Sequence, residues 1–501
     1  VPYSKPMWFA FTTWPPSATP SGWPMPCVNT QIGISLPNRG SNPHRCTVSY
    51  ARHPQRRFSN RKQRISGTMS TSELALLGGP KSITLDAGNL FAWPIITTED
   101  EEACLGVLRR GGMSGTDVTK EFEAEFSAWI GTEFALGYPS GTESLRGAMW
   151  ACGVGLGDEV ICPSVTYWAS AAPVQQLGAA VHFAEIEADT LCLDPKDIEH
   201  RIGPRTKAIL VVHYAGHPAD MDPILEIAKR HNVKVIEDVS HAQGALYKGR
   251  QCGTMGDVGA MSLMSGKSLA VGEAGILVTN DRDIYERAIA YGHYERTGAP
   301  STYNPPDQQI TRDDLAPFSG IPIGGFKHRM HQLSSAVGRV QLRHYPARIA
   351  EIQQGMNRFW DLLADVPGIL AHRPDQWPDS TMGGWYFARG LYRAEELGGL
   401  TCAKFAEAVK AEGVGACSPG ANYPLHTHNV FHSADVIGAG KPTAIAFTDR
   451  DVRQGPGTLP VAESIREICL GVPWFKHDDP ACIAEYAAAY RKVAENAAQL
   501  L

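Results

Sequence analysis

Asp238 and Lys267 are the residues whose types and setting point most directly to chemistry. Asp238 ends the apolar run in VIEDVSHAQGALYKG, and Lys267 lies just past another in GDVGAMSLMSGKSLAVGEAGILVTND, in glycine-punctuated sequence. An amine can hold an aldehyde covalently as a Schiff base, and a carboxylate can keep a pyridine nitrogen protonated. The protonated ring is then an electron sink for a carbanion beside the substrate nitrogen. The pair therefore points to pyridoxal phosphate as cofactor, with Lys267 as its covalent anchor. A lysine in an arbitrary loop is usually exposed and solvated, and a lone Asp often only caps a helix; the surrounding sequence argues against both readings.

A phosphate site is written nearby. Gly141 and Thr142 sit where a loop enters a helix beginning near Glu143. Free amides at a helix N-terminus bind phosphate, and glycine lets the backbone approach closely; an ordinary Ser or Thr cap would satisfy the same residues.

These residues need a scaffold, and from Lys81 the chain alternates between strand-like and helix-like periods. GTESLRGAMWACG places Leu145, Ala148, Met149 and Cys152 on one helical face, and EVICPSV and AVHFAEI follow as short strands. KAILVVHYAG reads as an apolar strand, MDPILEIAKRHN as an amphipathic helix with Ile224, Leu225, Ile227 and Ala228 inward, and KVIED as the next strand. This unit puts Asp238 at the carboxyl end of its strand, the edge at which open α/β sheets bind ligands. Beyond a Gly- and Pro-rich loop, residues 297–322, a helical stretch from HQLSSAV to WDLL leads into a mixed α/β tail, read as a second domain. The expected division is an extension over residues 1–68, a large domain over 69–325 and a smaller one over 326–501.

Composition bounds the remaining classes. With 501 residues, 43% hydrophobic and 20% charged, the chain can bury the cores of two or three domains. Its 11 cysteines include no CxxC pair, which fits a reducing cytoplasm better than a disulfide scaffold. The 17 histidines fall into no HExxH or similar spacing, so no metal is implied. Apolar runs such as 208–212 fall far short of the roughly 18 residues a spanning helix needs, and no membrane anchor is expected. GVGLGDEV lacks the spacing of a dinucleotide fingerprint and follows a helix rather than a strand, which disfavours a Rossmann oxidoreductase. Residues 1–68 hold no Asp or Glu, nine Lys or Arg and ten Pro, a composition that cannot form a packed core. A transit peptide, a basic nucleic-acid tail and read-through upstream of Met69 compete for this segment. Read-through is favoured, and no nucleic-acid partner is expected.

The motifs SGTESL, GDEVICPSVTYWAS, RTKAILVVHYAGHPADMD, VIEDVSHAQGALYKG, GKSLAVGEAG and GFKHRMHQLSSAVGRVQL, in this order from about Gly78 onward, resemble the DegT/DnrJ/StrS family of pyridoxal phosphate-dependent sugar aminotransferases. The resemblance implies the fold type I transferase architecture: a mostly parallel central sheet flanked by helices, with a smaller α/β C-terminal domain. It also implies roles for single residues. Lys267 matches the Schiff-base lysine, Asp238 the partner of the pyridine nitrogen, and Ser262 a phosphate ligand. Tyr167 matches the ring stacked on the cofactor, with Trp168 as its rival, and His241 the residue at the phenolic oxygen. Where many relatives read Gly-Tyr-Asn-Tyr-Arg, this chain reads GFKHR, which puts Lys327 at the position reaching the phosphate of the other subunit in a homodimer with shared sites. Arg329 would bind a substrate carboxylate or brace that loop, and His426, in YPLHTHNVF, would line the acceptor pocket or serve structure. The implied reaction moves an amino group from glutamate or glutamine to a ketone on a nucleotide-linked sugar or a cyclitol. A sugar dehydratase of this family carries histidine in place of the lysine, which Lys267 argues against; an inactive cofactor-binding regulator would need a partner-binding module.

Overall fold

The computed structural model describes residues 73–298 and 307–501, so the expected extension over 1–68 lies outside the described residues. Seven strands form the main sheet: β1 (Phe134–Tyr138), β2 (Glu159–Pro163), β3 (Ala180–Ala184), β4 (Thr206–Val212), β5 (Lys234–Asp238), β6 (Val258–Ser262) and β7 (Gly275–Thr279). Their order is β1-β7-β6-β5-β4-β2-β3. Only β7 opposes its neighbours, pairing antiparallel with both β1 and β6, while β6, β5, β4, β2 and β3 run parallel. A sheet covered by helices on both faces needs strands that are apolar throughout. The run from Ala208 to Val212 in β4 is accordingly buried without alternation.

The flanking helices follow their apolar spacing. Helix α1 (Thr98–Arg109) and α2 (Asp117–Ile130) precede the sheet, and α3 (Gly141–Ala151) follows β1 directly. Helix α3 buries Leu145, Ala148 and Met149, and Gly147 lets it lie against Tyr138, since a Cβ there would meet the ring Cζ at 2.9 Å. Helix α4 (Met221–His231) buries Ile224, Ile227 and Ala228, whereas Leu225 sits at the edge, half-buried; Asn232 ends the helix at φ 53°, a left-handed cap. Helix α5 (Arg282–Gly292) packs on α3.

The 31-residue helix α6 (Gln332–Leu362) bridges two cores. Tyr345 and Ile349 pack under the main sheet, while Ile352, Met356, Phe359 and Trp360 enter a second core. A three-stranded antiparallel sheet, β8 (Ile369–Ala371), β9 (Arg389–Tyr392) and β10 (Cys469–Gly471), forms part of that second core. The cores are not divided at one point of the chain. Leu74 and Leu90 join the second, while Phe431, Leu459 and Ile465 return to the first. No helix among the described residues is long and apolar enough to cross a membrane.

Candidate active site

A cavity of about 520 Å³ opens at the carboxyl edge of the main sheet, where Val212 ends β4, Asp238 ends β5 and Ser262 ends β6. Asp238 is 4% exposed, and both of its oxygens are engaged. Oδ1 accepts the Ser240 amide at 3.0 Å, and Oδ2 accepts the Ser170 hydroxyl at 2.7 Å. Two donors give the carboxylate a single orientation, and each oxygen keeps a further lone pair.

Lys267 lines the same cavity and is 7% exposed. The Trp93 indole donates to its carbonyl at 2.8 Å, and its Nζ lies 4.1 Å from the centre of the Tyr386 ring. Burial pushes the amine down to about 8, against the opposing pull of Asp238. An unfolded lysine titrates near 10.4, so holding this one at about 8 costs the fold roughly 3 kcal/mol at neutral pH. The sign is that of a depressed base: the cost is fully present below about 8 and vanishes as the pH rises through about 10.4, where both states are neutral. Lys267→Met should therefore raise the melting temperature of the cofactor-free protein at pH 7 by several degrees. The difference should shrink between pH 8 and 10; equal melting curves at all pH values would mean that the amine is solvated.

His241 follows β5 and faces the cavity. Burial, then the charge of Lys267, holds its imidazole well below the usual range, so the ring is neutral. Its Nδ1 accepts the Ala215 amide at 3.3 Å, which assigns the ring proton to Nε2 as a donor. That is the tautomer needed to meet a phenolic oxygen.

The anion end is formed by α3 and β6. The Ser140 hydroxyl caps α3 by accepting the Glu143 amide, and Gly141 and Thr142 line the cavity in the first helical turn, where amides lack intrahelical acceptors. A Cβ on Gly141 would lie 2.5 Å from Cβ of Ser262, so glycine is what allows this helix end to meet the Ser262 strand end. The Ser262 amide donates to the Ser240 hydroxyl at 2.9 Å, linking the anion end to the residue that holds Asp238.

Tyr167, not Trp168, lines the cavity, with the two rings 5.0 Å apart. The desolvated amine, the fixed buried carboxylate, the neutral His241 donor and the helix end cradled by Gly141 match the functional groups of pyridoxal phosphate one for one. Among the described residues no cluster of three or more His, Cys, Asp or Glu is placed to hold a metal.

Three expected residues lie elsewhere in this chain. Lys327 is exposed on its loop and is absent from the cavity wall, because its neighbours turn inward. Phe326 stacks on His328 at 5.5 Å, and Nε2 of His328 meets Glu143 of α3 at 2.9 Å, so the loop is tied to the anion-binding helix. Arg329 is half-buried, with its guanidinium 3.5 Å from the Tyr294 hydroxyl and its charge bearing on Glu295, and it does not line the cavity of its own chain. His426, expected either at the acceptor pocket or in a structural role, does not line this cavity. It is 1% exposed, with Nδ1 2.7 Å from the Ser164 hydroxyl and Nε2 3.0 Å from Glu463, so both nitrogens are occupied. With the Leu425 amide on the Ser164 carbonyl, it anchors the turn that presents Tyr167.

Sequence reasoning missed Ser170, Ser240, Tyr386, Phe387 and Asn422, all of which line the cavity. Ser170 follows Thr166 across a bend and the short 3-10 turn Trp168–Ser170, with their hydroxyls 2.9 Å apart, and no regular period marks it in the sequence. Tyr386 and Phe387 follow the Gly383–Gly384 pair, the only local signal for them.

Residues 94–468 match the profile of the DegT/DnrJ/EryC1/StrS aminotransferase family. The dTDP-3-amino-3,4,6-trideoxy-alpha-D-glucose transaminase of Streptomyces venezuelae is 31% identical over 409 residues, covering 81% of this chain and 95% of that one. A Micromonospora echinospora protein assigned as the L-glutamine:3-amino-2,3-dideoxy-scyllo-inosose aminotransferase is 31% identical over 368 residues, covering 72% of this chain and 83% of its own. The solved aminotransferase of Psychrobacter cryohalolentis superimposes with a TM-score of 0.68 at 26% identity, over 81% of this chain and 99% of that one.

Proposed function

The chain belongs to the DegT/DnrJ/EryC1/StrS aminotransferase family, and on that premise we propose that it transfers an amino group from glutamate or glutamine to a ketone on a nucleotide-linked sugar or a cyclitol. The observation that carries this reading is the meeting of a desolvated Lys267 amine, a buried Asp238 carboxylate and a helix N-terminus in one cavity. Pyridoxal phosphate, when bound, supplies an aldehyde that captures amines and a protonated ring that accepts an electron pair. Lys267 is its anchor, Asp238 the carboxylate for its ring nitrogen, His241 the donor for its phenolic oxygen, and Gly141, Thr142 and Ser262 the phosphate ligands. Tyr167 supplies the ring packed on its face.

Lys267 does the proton work. Once free, the Lys267 amine, which burial holds below the ordinary lysine range, can take a proton from the donor's α-carbon and deliver one to the acceptor's carbon. Adding glutamate or glutamine to the loaded enzyme should bleach the long-wavelength cofactor band and release the keto acid, and a keto-sugar or keto-cyclitol should restore the band. A band unchanged by every amino donor would refute the aminotransferase reading.

The functional unit we propose is a homodimer, with Lys327 of each subunit completing the phosphate site of the other. Its exposure outside its own cavity supports that placement, and a two-fold axis would make the exchange reciprocal. Losing a charge-assisted contact to phosphate costs about 1.5–3 kcal/mol, so Lys327→Ala should raise the cofactor Kd roughly tenfold to a hundredfold. Mixing Lys327→Ala with Lys267→Ala subunits should restore activity, because one site of each hybrid carries neither lesion. An active monomer, or verified exchange without recovery, would contradict the shared site. We place the enzyme in the cytoplasm; the nine described cysteines are all free thiols, eight of them buried, which supports a reducing compartment.

A further inference from the structure

The segment from Met382 to Phe387 has an unusual backbone. Gly383 has φ 56°, Trp385 φ 53° and Phe387 φ 61°, so left-handed residues alternate along it, two of them carrying large aromatic side chains. Such conformations are sparsely populated, persist only where the surroundings enforce them, and gather at functional sites. Here the enforcement is visible. A Cβ on Gly383 would lie 2.5 Å from the Gln243 carbonyl, and the Trp474 indole donates to the Gly384 carbonyl at 2.9 Å. The alternation turns Tyr386 and Phe387 to the cavity while Trp385 is buried.

The contacts of Tyr386 close a ring around the catalytic lysine. Its face carries the Lys267 amine, and its ring meets Trp474 at 5.6 Å and 86°. Over Trp474 stands a second buried lysine, Lys476, with Nζ 2.9 Å from the ring centre, 5.6 Å from the Trp93 ring centre and donating to the Trp474 carbonyl at 3.2 Å. Trp474 also packs on Trp93, whose indole holds the Lys267 carbonyl, and the Lys476 amide holds Leu90, just before Trp93. Both ends of Lys267 are thus fixed by one aromatic assembly: its carbonyl through Trp93 and its amine through Tyr386.

We propose that Tyr386 is a further active-site residue whose ring, held by Trp474, keeps the Lys267 amine in place and out of water. The proposal rests on Lys267 being the reactive amine. The other groups around that amine are Asp238 from β5 and His241 from the turn after it, with Glu273 on the cavity wall. Arg389 bears on His241 and Tyr386 from behind Phe387. Of these, Asp238 favours the charged amine, so the neutral form depends on exclusion of water, and the ring at 4.1 Å is what covers the amine on that side.

The test reads the amine itself. In the cofactor-free full-length protein, the pH dependence of Lys267 acylation by acetic anhydride, followed by peptide mass spectrometry, gives the midpoint of its ionisation, which should lie at about 8. Tyr386→Phe keeps the ring and should keep that midpoint. Tyr386→Ala admits water and should raise it by about one unit or more toward the ordinary lysine value. Trp474→Phe, which keeps a ring but loses the bond to Gly384, should give a smaller rise and serves if the alanine variant does not fold. A midpoint unmoved in both Tyr386→Ala and Trp474→Phe, or in Trp474→Phe alone should the alanine variant not fold, would overturn the proposal, as would an equal shift in Tyr386→Phe. If instead the cofactor is anchored on another lysine, the underlying assignment of Lys267 fails, a separate outcome read from the loaded enzyme.

Discussion

Lys267→Ala is expected to lower transamination by at least about 10⁴-fold, the upper range for loss of a general base, because covalent capture of the cofactor is lost with the proton carrier. The variant should fold. The replaced side chain is a buried amine that the protein holds at a cost in stability, and its removal leaves the Trp93 bond to the residue 267 carbonyl available. The phosphate end is also untouched, so the variant should still take up the cofactor noncovalently through α3 and Ser262. A small primary amine added to the assay should restore part of the rate by supplying a mobile proton carrier. Turnover within tenfold of the parent enzyme would show that another group does this work.

Asp238→Asn should follow closely in severity. The change is nearly isosteric, and Ser240 can still donate to the amide oxygen, so fold and cofactor uptake should persist. What is lost is the charge that keeps a ring nitrogen protonated, worth several kcal/mol of carbanion stability and on the order of a thousandfold in rate. Because the loss falls on the transition state, kcat should drop with little change in KM. A fall below tenfold would mean that Asp238 is not the ring's partner.

What sequence could reveal of this site follows a physical divide. Gly141, Thr142 and Asp238 are legible because each lies at a strand end or the first helical turn, where local periodicity places it, whereas Ser262 was reached only through the family resemblance, since alone it reads as one more strand serine. The parallel core was legible for a related reason, since strands such as β4 are buried on both faces and carry an unbroken apolar run. Tyr386, Phe387 and Asn422 were not legible, because contacts distant in sequence bring them to the cavity, Tyr386 against Trp474 and Phe387 and Asn422 against Tyr214. The role of His426 stayed open in the sequence because a histidine's role depends on its partners, and its partner Ser164 stands 262 residues away. The contrast between Tyr167 and Trp168 turned on a backbone rotation that composition does not encode.

Lys267 is the residue proposed to hold pyridoxal phosphate. The enzyme offers a competitor, since burial also pushes Lys476 down, to about 6, making it a second desolvated amine. Borohydride reduction of the loaded enzyme, followed by digestion and mass mapping, distinguishes them directly. The predicted result is one cofactor adduct per chain, on the peptide containing Lys267. An adduct on Lys476 or any other lysine, or none at all, would contradict it.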